Sequence, residues 1–103
     1  MQIQVNTDNH VHGDERLAEF VQATVGSALE RFAGRISRIE VHLSDENGGK
    51  GGVDKRCLIE ARVEGRAPTA VSHMAPSVAE AVQGASDKMS SALDSALGKL
   101  RGY

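Results

Sequence analysis

Between Glu46 and Arg56 the chain reads ENGGKGGVDKR: Gly48, Gly49, Gly51 and Gly52 surround Lys50, and two more cations, Lys55 and Arg56, follow. A lysine among glycines is raw material for gripping phosphate. A nucleotide-binding loop, however, needs G-x-x-x-x-G-K-[ST] between a strand and a helix. The helix N-terminus and its backbone N–H groups hold the phosphates, and the hydroxyl holds Mg²⁺. Here Gly51 follows Lys50, no Ser or Thr is at hand, and the next segment alternates like a strand. The pattern speaks against a nucleotide site. It leaves a mobile hairpin tip, or a basic finger in which Lys50, Lys55 and Arg56 reach a polyanion.

Other reactive residue types are sparse. His10 and His12 lie close together, and Asp8 or Asp14 could add a third ligand, but zinc sites usually take three or four ligands and nothing in the sequence fixes such a geometry. No metal or other cofactor is expected. His42 and His73 read as surface histidines. Cys57 falls on the apolar side of an alternating segment and reads as a small core residue. No Ser-His-Asp spacing or convergent carboxylate pair stands out, so the expectation is a protein that is not an enzyme.

The cations form a second theme. Arg31, Arg35 and Arg38 close one helical segment and open a strand, where helix-dipole pairing accounts for the first two as well as a phosphate partner would. The 103 residues suit one domain, 1–103, and the formal net charge of −2 gives no global basic field, so any polyanion must be held by local patches. One cysteine permits no internal disulfide, which fits a reducing compartment. The start has no charged n-region or long apolar run, and no stretch approaches the roughly 20 apolar residues of a membrane helix. The expectation is a cytoplasmic protein with no membrane partner.

The elements that would carry these residues follow from periodicity. Ile3 and Val5 alternate with polar neighbours as a short strand, and Thr7-Asp8-Asn9 reads as a turn. From Asp14 to Ala33, Leu17, Phe20, Val21, Val25, Ala28 and Phe32 recur at threes and fours, the apolar stripe of an amphipathic helix that Gly34 would stop. Ile39, Val41 and Leu43 mark a second strand. Cys57, Ile59, Ala61 and Val63 mark a third, and a fourth runs around Thr69 to His73 after a turn at Gly65-Arg66. Ser77-Val78-Ala79-Glu80 matches a capping box, and the helix it opens runs to about Leu100 with Val78, Val82, Ala85, Met89, Ala92, Leu93, Ala96 and Leu100 as its buried stripe.

The order β-α-β-β-β-α implies an α+β fold. The strand-helix-strand start favours a right-handed parallel crossover, and short loops make the later strands antiparallel, giving a four-stranded mixed sheet. Each strand has one apolar face, so two helices packed on one face of the sheet would leave the other open.

At this level the chain resembles the ribosome hibernation-promoting factor family, also called ribosome-associated inhibitor or sigma modulation proteins. "MQIQV" is similar to the family's opening strand, "LAEFVQATVGSALERFAGRISRIEVHL" to its first helix and second strand, "CLIEARVEGRAPTAV" to its long hairpin, and "VAEAVQGASDKMSSAL" to its last helix. The Asp87-Lys88-Met89 triplet in register with Ala81 and Ala85 is the most specific match. The resemblance implies a short-type member. It would occupy the small-subunit decoding channel and inhibit translation under stress, with ribosomal RNA as partner and neither DNA nor membrane. It implies RNA contact by Arg31 and Lys88, with Lys99 and Arg101 where the family's last helix is usually basic. Adding the cations read above, the RNA-binding set is Arg31, Arg35, Arg38, Lys50, Lys55, Arg56, Lys88, Lys99 and Arg101.

The surface pattern supplies a competing reading. Glu80, Asp87 and Asp94 are seven apart and form an acidic line opposite the buried stripe of the last helix, with Lys88 and Lys99 on one flank. Ala23, Gly26 and Ser27 on one helix, and Gly84, Ser91, Ser95 and Gly98 on the other, make small-residue faces. Arg62 is expected to pair across strands with Glu40. Three aromatic residues, two of them in the first helix's core pattern, make no stacking platform for single-stranded bases. The alternative is therefore a protein-interaction module that has lost ribosome binding, using its small-residue helix faces or open sheet edge, with weak self-association left open.

Overall fold

Two long alternating segments, 36–45 and 55–63, can bury the apolar residues of one face together only by pairing in register and presenting that face to the helices. The computed structural model, which describes residues 1–47 and 52–98, has that arrangement. The elements are β1 (Gln2–Thr7), α1 (Glu15–Leu29), a single 3₁₀ turn (Glu30–Phe32), β2 (Ile36–Asp45), β3 (Lys55–Val63), β4 (Thr69–Ala75) and α2 (Val78–Gly98). The sheet order is β1-β2-β3-β4, with β1 parallel to β2 and the other pairs antiparallel. The expected α+β fold, β-α-β-β-β-α with a mixed sheet and both helices on one face, is the observed one. Ile39, Val41 and Leu43 of β2 and Cys57, Ile59 and Ala61 of β3 are buried beneath Val21, Val25 and Leu29 of α1 and Val82, Ala85, Met89 and Leu93 of α2.

Helix ends follow local chemistry. Asp14 caps α1, its Oδ1 accepting from the Leu17 N–H at 2.9 Å. The helix is shorter than the expected 14–33 and closes through the 3₁₀ turn. Gly34 does not take the left-handed conformation of a helix-ending glycine; positive φ occurs at Gly52 and Gly65 among the described residues. Gly65, at φ 73°, makes the expected β3–β4 turn. At α2 the Ser77 Oγ accepts from the Glu80 N–H at 3.2 Å and donates to Glu80 Oε2 at 2.9 Å, so the carboxylate takes the hydroxyl proton instead of the Ser77 N–H.

Several residues depart from the expected pattern, among them Leu97 of α2, buried outside the expected stripe, and Gly84, expected on an outer face but packed against His73. Phe20, assigned to the core stripe, is 38 % exposed, while Leu29 is fully buried. Phe20 lies on the flank of the helix, and the tighter 3₁₀ closure turns Phe32 into the core. His73, read as a surface residue, stands opposite buried Cys57 on the helix-facing side of the sheet and is half-buried. Its ring fills the space over Gly84 of α2: a Cβ on Gly84 would come within 2.1 Å of His73 Cδ2. Gly84 is thus the place where α2 comes close to β4. Beside it, Lys88 Nζ donates to the Ser72 carbonyl oxygen at 3.0 Å and covers part of the β4 edge.

This close approach has a measurable signature. At an open helix position Gly→Ala gains about 1 kcal/mol. In the wild-type chain Gly84→Ala is expected to bring no gain, because the new methyl meets the imidazole. In a His73→Ala background the same change should recover the helix gain. Urea midpoints across the four-member cycle check this; an equal gain in both backgrounds would show that the ring does not occupy that space.

Candidate nucleic-acid interface

A cation can hold a phosphate only if its charge is not already spent within the protein, and the fold sorts the expected residues on that basis. Arg31, at the 3₁₀ closure of α1, turns its guanidinium across to α2. Its Nη1 donates to Asp94 Oδ1 at 2.9 Å and its Nη2 to Ser90 Oγ at 3.2 Å, with Cζ 4.5 Å from the centroid of the Phe32 ring. Both partners are about half exposed, so the ion pair alone contributes roughly 0.2–1 kcal/mol; the hydroxyl and ring contacts add direction. An approaching phosphate would compete with Asp94. The acidic line is likewise engaged along its length: Asp94 with Arg31, Asp87 Oδ1 with Gln83 Nε2 at 3.1 Å, and Glu80 with its cap.

At the mouth of the β2–β3 hairpin the expected basic finger is tied to acids. Lys55 stands directly opposite Asp45. Its Nζ donates to Asp54 Oδ1 at 2.7 Å and lies 3.4 Å from Asp45 Oδ2. Asp54 and Asp45 are buried, at 0 % and 6 % exposure. The Asp54 hydrogen bond raises the Lys55 pKa above its usual 10.5; burial opposes this, and Asp45 adds to the rise. The charge on Lys55 therefore supports the fold below pH 10.5, and that support is lost as pH climbs through the higher native value. Asp54 Oδ2 has no hydrogen-bond partner among the described residues. Arg56 lies 4.0 Å from Glu46. Lys50 of the glycine loop, and Lys99 and Arg101 beyond α2, fall outside the described residues, as does the hairpin tip itself.

The same corner joins β1 to β2. Asp8 Oδ1 accepts from the N–H groups of His10 and Val11, at 2.9 and 3.1 Å, and Asp8 Oδ2 accepts from the Asp45 N–H at 3.2 Å. Burial pushes the Asp8 carboxyl up, but these three N–H donors, with a contribution from the His10 charge, outweigh it and hold its pKa below 3.8. His12 Nε2 is 3.5 Å from Asp14 Oδ2, both exposed. Among the described residues no three His, Cys, Asp or Glu side chains are grouped to hold a metal ion. Burial pushes the Cys57 thiol up to about 12, which leaves it protonated at neutral pH.

The remaining cations gather at the opposite end of the hairpin. Arg38 of β2 points to the open face, reaching Gln4 Oε1 and lying 3.8 Å from Glu40 Oε1. Its partner in the ladder is Arg62, not the acid expected to face Arg62. Glu40 stands instead opposite Glu60. Exposed Arg35 and Arg66 flank this pair. The structure thus brings Arg35 and Arg38 together with two arginines that the sequence reading set aside. Arg62 was given to Glu40 because alternation fixes which face a side chain takes but not which of two same-face partners it meets. A count from the hairpin mouth, with Asp45 set against Lys55, would have found it.

Comparison with known proteins bears on what such a surface does. The family model described as Sigma 54 modulation protein / S30EA ribosomal protein matches residues 3–101. No curated protein sequence matches significantly. A ribosomal subunit interface protein from Coxiella burnetii superimposes with a TM-score of 0.77 at 15 % identity, covering 95 % of this chain and 99 % of the other. The N-terminal domain of Protein Y from Thermus thermophilus gives 0.75 at 17 % identity, covering 92 % and 98 %. At these identities the two structures establish a shared fold.

The Asp8 linkage carries a pH dependence whose sign is fixed by the lowered native pKa. The stabilisation is present above 3.8 and is lost as pH falls through the lower native value. Asp8→Asn should therefore lower the urea midpoint at pH 6, and its difference from wild type should shrink steadily below pH 3.8. A difference that stayed constant down to pH 2 would show that the ionised carboxylate is not what joins β1 to β2.

Proposed function

Because the chain belongs to the Sigma 54 modulation protein / S30EA ribosomal protein family, we propose that it is a ribosome-binding hibernation factor. It occupies the decoding channel of the small subunit in the cytoplasm and inhibits translation under stress. It acts as a plug, held by contacts to ribosomal RNA, with no cofactor and no turnover. The family match over residues 3–101 carries this reading. The two structural neighbours support its direction, since one is a ribosomal subunit interface protein and the other is a Protein Y domain of the same fold. Among the described residues no helix is long and apolar enough to cross a membrane and no pocket is present.

The contacts divide by how free each cation is. Arg35, Arg38 and Arg56 are the described members of the expected set that meet phosphate at least internal cost. Lys50, Lys99 and Arg101 are proposed with them on sequence grounds. Arg31 and Lys88 bind RNA only by releasing Asp94 and the Ser72 carbonyl, and Lys55 only by leaving two carboxylates without their cation. The engagement of Arg31 and Lys88 favours a second reading for the helix side: with those charges spent, its exposed small residues Ala23, Ser27, Ser91 and Ser95 suit contact with a protein surface, while Gly84 is covered by His73.

Salt separates the two. RNA contact releases counterions, so binding falls steeply as salt rises, whereas contact through small uncharged faces does not. Purified protein should comigrate with isolated small subunits at about 50 mM salt and lose at least tenfold in affinity by about 200 mM. Absence of comigration at low salt would sink the ribosome reading, and salt-insensitive comigration would replace RNA contact with protein contact.

A further inference from the structure

Four of the arginines lie on segments held in one corner by two backbone hydrogen bonds and one from a serine hydroxyl. The register shifts between Ile36 and Arg38, a β-bulge that leaves Ser37 extra on β2. The Ser37 hydroxyl donates to the Arg62 carbonyl oxygen at 3.3 Å, the Glu64 N–H to the Arg35 carbonyl oxygen at 3.0 Å, and the Arg66 N–H to the Val63 carbonyl oxygen at 3.2 Å. Segments 35–38 and 62–66 are thereby stapled side by side. Arg38 and Arg62, directly opposed, share the open face of the sheet, while Arg35 and Arg66 stand exposed on either side.

Like charges placed directly opposite in a ladder repel, and the nearby acids do not cancel this pair. Glu40 engages Arg38 at 3.8 Å, at the limit of an ion pair. Arg62 has no carboxylate within ion-pair distance among the described residues, although Glu60 and Glu64 flank it in sequence. Glu60 stands opposite Glu40, one same-face pair further along. Glu64, exposed and tied through its N–H to the Arg35 carbonyl oxygen, is the one carboxylate within segment 62–66, set against the four arginines of the corner.

We infer that Arg35, Arg38, Arg62 and Arg66 form a phosphate-binding corner at the bulged end of the β2–β3 hairpin, and that an RNA backbone occupies it. The choice of RNA rests on the ribosome reading above; the corner itself rests on the register. Planar guanidinium forks match phosphate oxygens in bidentate fashion. No aromatic residue lies in segments 35–38 or 62–66 to stack a base, so the contact is to the backbone and indifferent to sequence. The sheet side, at this corner, then faces RNA.

The test uses Arg62→Gln/Arg66→Gln, with Arg35→Gln/Arg66→Gln as a second variant should the first fold poorly, and two probes: isolated small ribosomal subunits, and a short fluorescently labelled RNA duplex read by anisotropy. Loss of two phosphate contacts should weaken RNA binding at least tenfold at low salt and make the slope of log K against log salt shallower by roughly 1.5–2. Subunit binding should fall in parallel. If wild type and variant bind subunits with the same affinity and slope, the corner is overturned and the ribosome reading stands. If wild type binds the duplex through the corner but ignores subunits, the corner stands and the ribosome reading falls. Binding to neither probe overturns both.

Discussion

The rest of the structure depends on a buried ionic knot at the hairpin mouth. Asp45 is buried and on the core-facing side of β2; it is tolerable there because Lys55 stands opposite and shares itself with Asp54. A buried charge without its partner costs far more than an exposed one, so this pairing selects one register of β2 against β3. Asp8 extends the knot to a third strand by accepting from the Asp45 N–H, at the end of β1 where the parallel pairing with β2 gives out. Everything further along the sheet is counted from that mouth: which apolar residues meet under the helices, and which charges meet on the open face.

The fold also decides which cations are available. On the helix side, Arg31 holds α1 to α2 through Asp94 and Ser90, and Lys88 closes the β4 edge at Ser72. These are the two helix positions to which the family resemblance assigns RNA contact, and here both serve packing. The acids once read as a repellent line are themselves occupied, one with Arg31, one with Gln83 and one in the α2 cap. The charge on α2 is thus internal wiring. The open sheet carries no such wiring from the helices, because nothing packs on it, and its charges are set by the ladder alone.

Much of this was legible in the sequence, for identifiable reasons. Period-two and period-3.6 patterns placed every strand and both helices, because one buried face per element leaves a strong signal. Errors arose where a residue's fate depends on a neighbour distant in sequence. Phe20 fits the helical stripe but falls on its flank, and His73 looks like an edge residue until Gly84 of α2 is laid over it. The buried Asp45 and Asp54 are invisible to a hydropathy pattern, since only tertiary pairing makes such burial tolerable. The arginine corner stayed hidden because parity along a strand names a face and not a partner.

The charge arrangement on the open face follows from the same knot. Sliding β3 by two residues would keep both apolar faces buried, set Arg62 against Glu40 and Glu64 against Arg38, and remove the Arg-Arg and Glu-Glu oppositions. Each cross-strand pair of this kind is worth roughly 0.2–1 kcal/mol. The slide would also carry Asp45 from Lys55 to Cys57, stranding a buried carboxylate against an apolar thiol, and losing one partner of a buried pair costs about 3–5 kcal/mol. The knot at one end therefore outweighs the repulsion at the other. The chain keeps a stable register and, as its direct consequence, presents a pair of facing arginines, of which Arg38 is engaged by Glu40 and Gln4 while Arg62 has no carboxylate within ion-pair distance among the described residues.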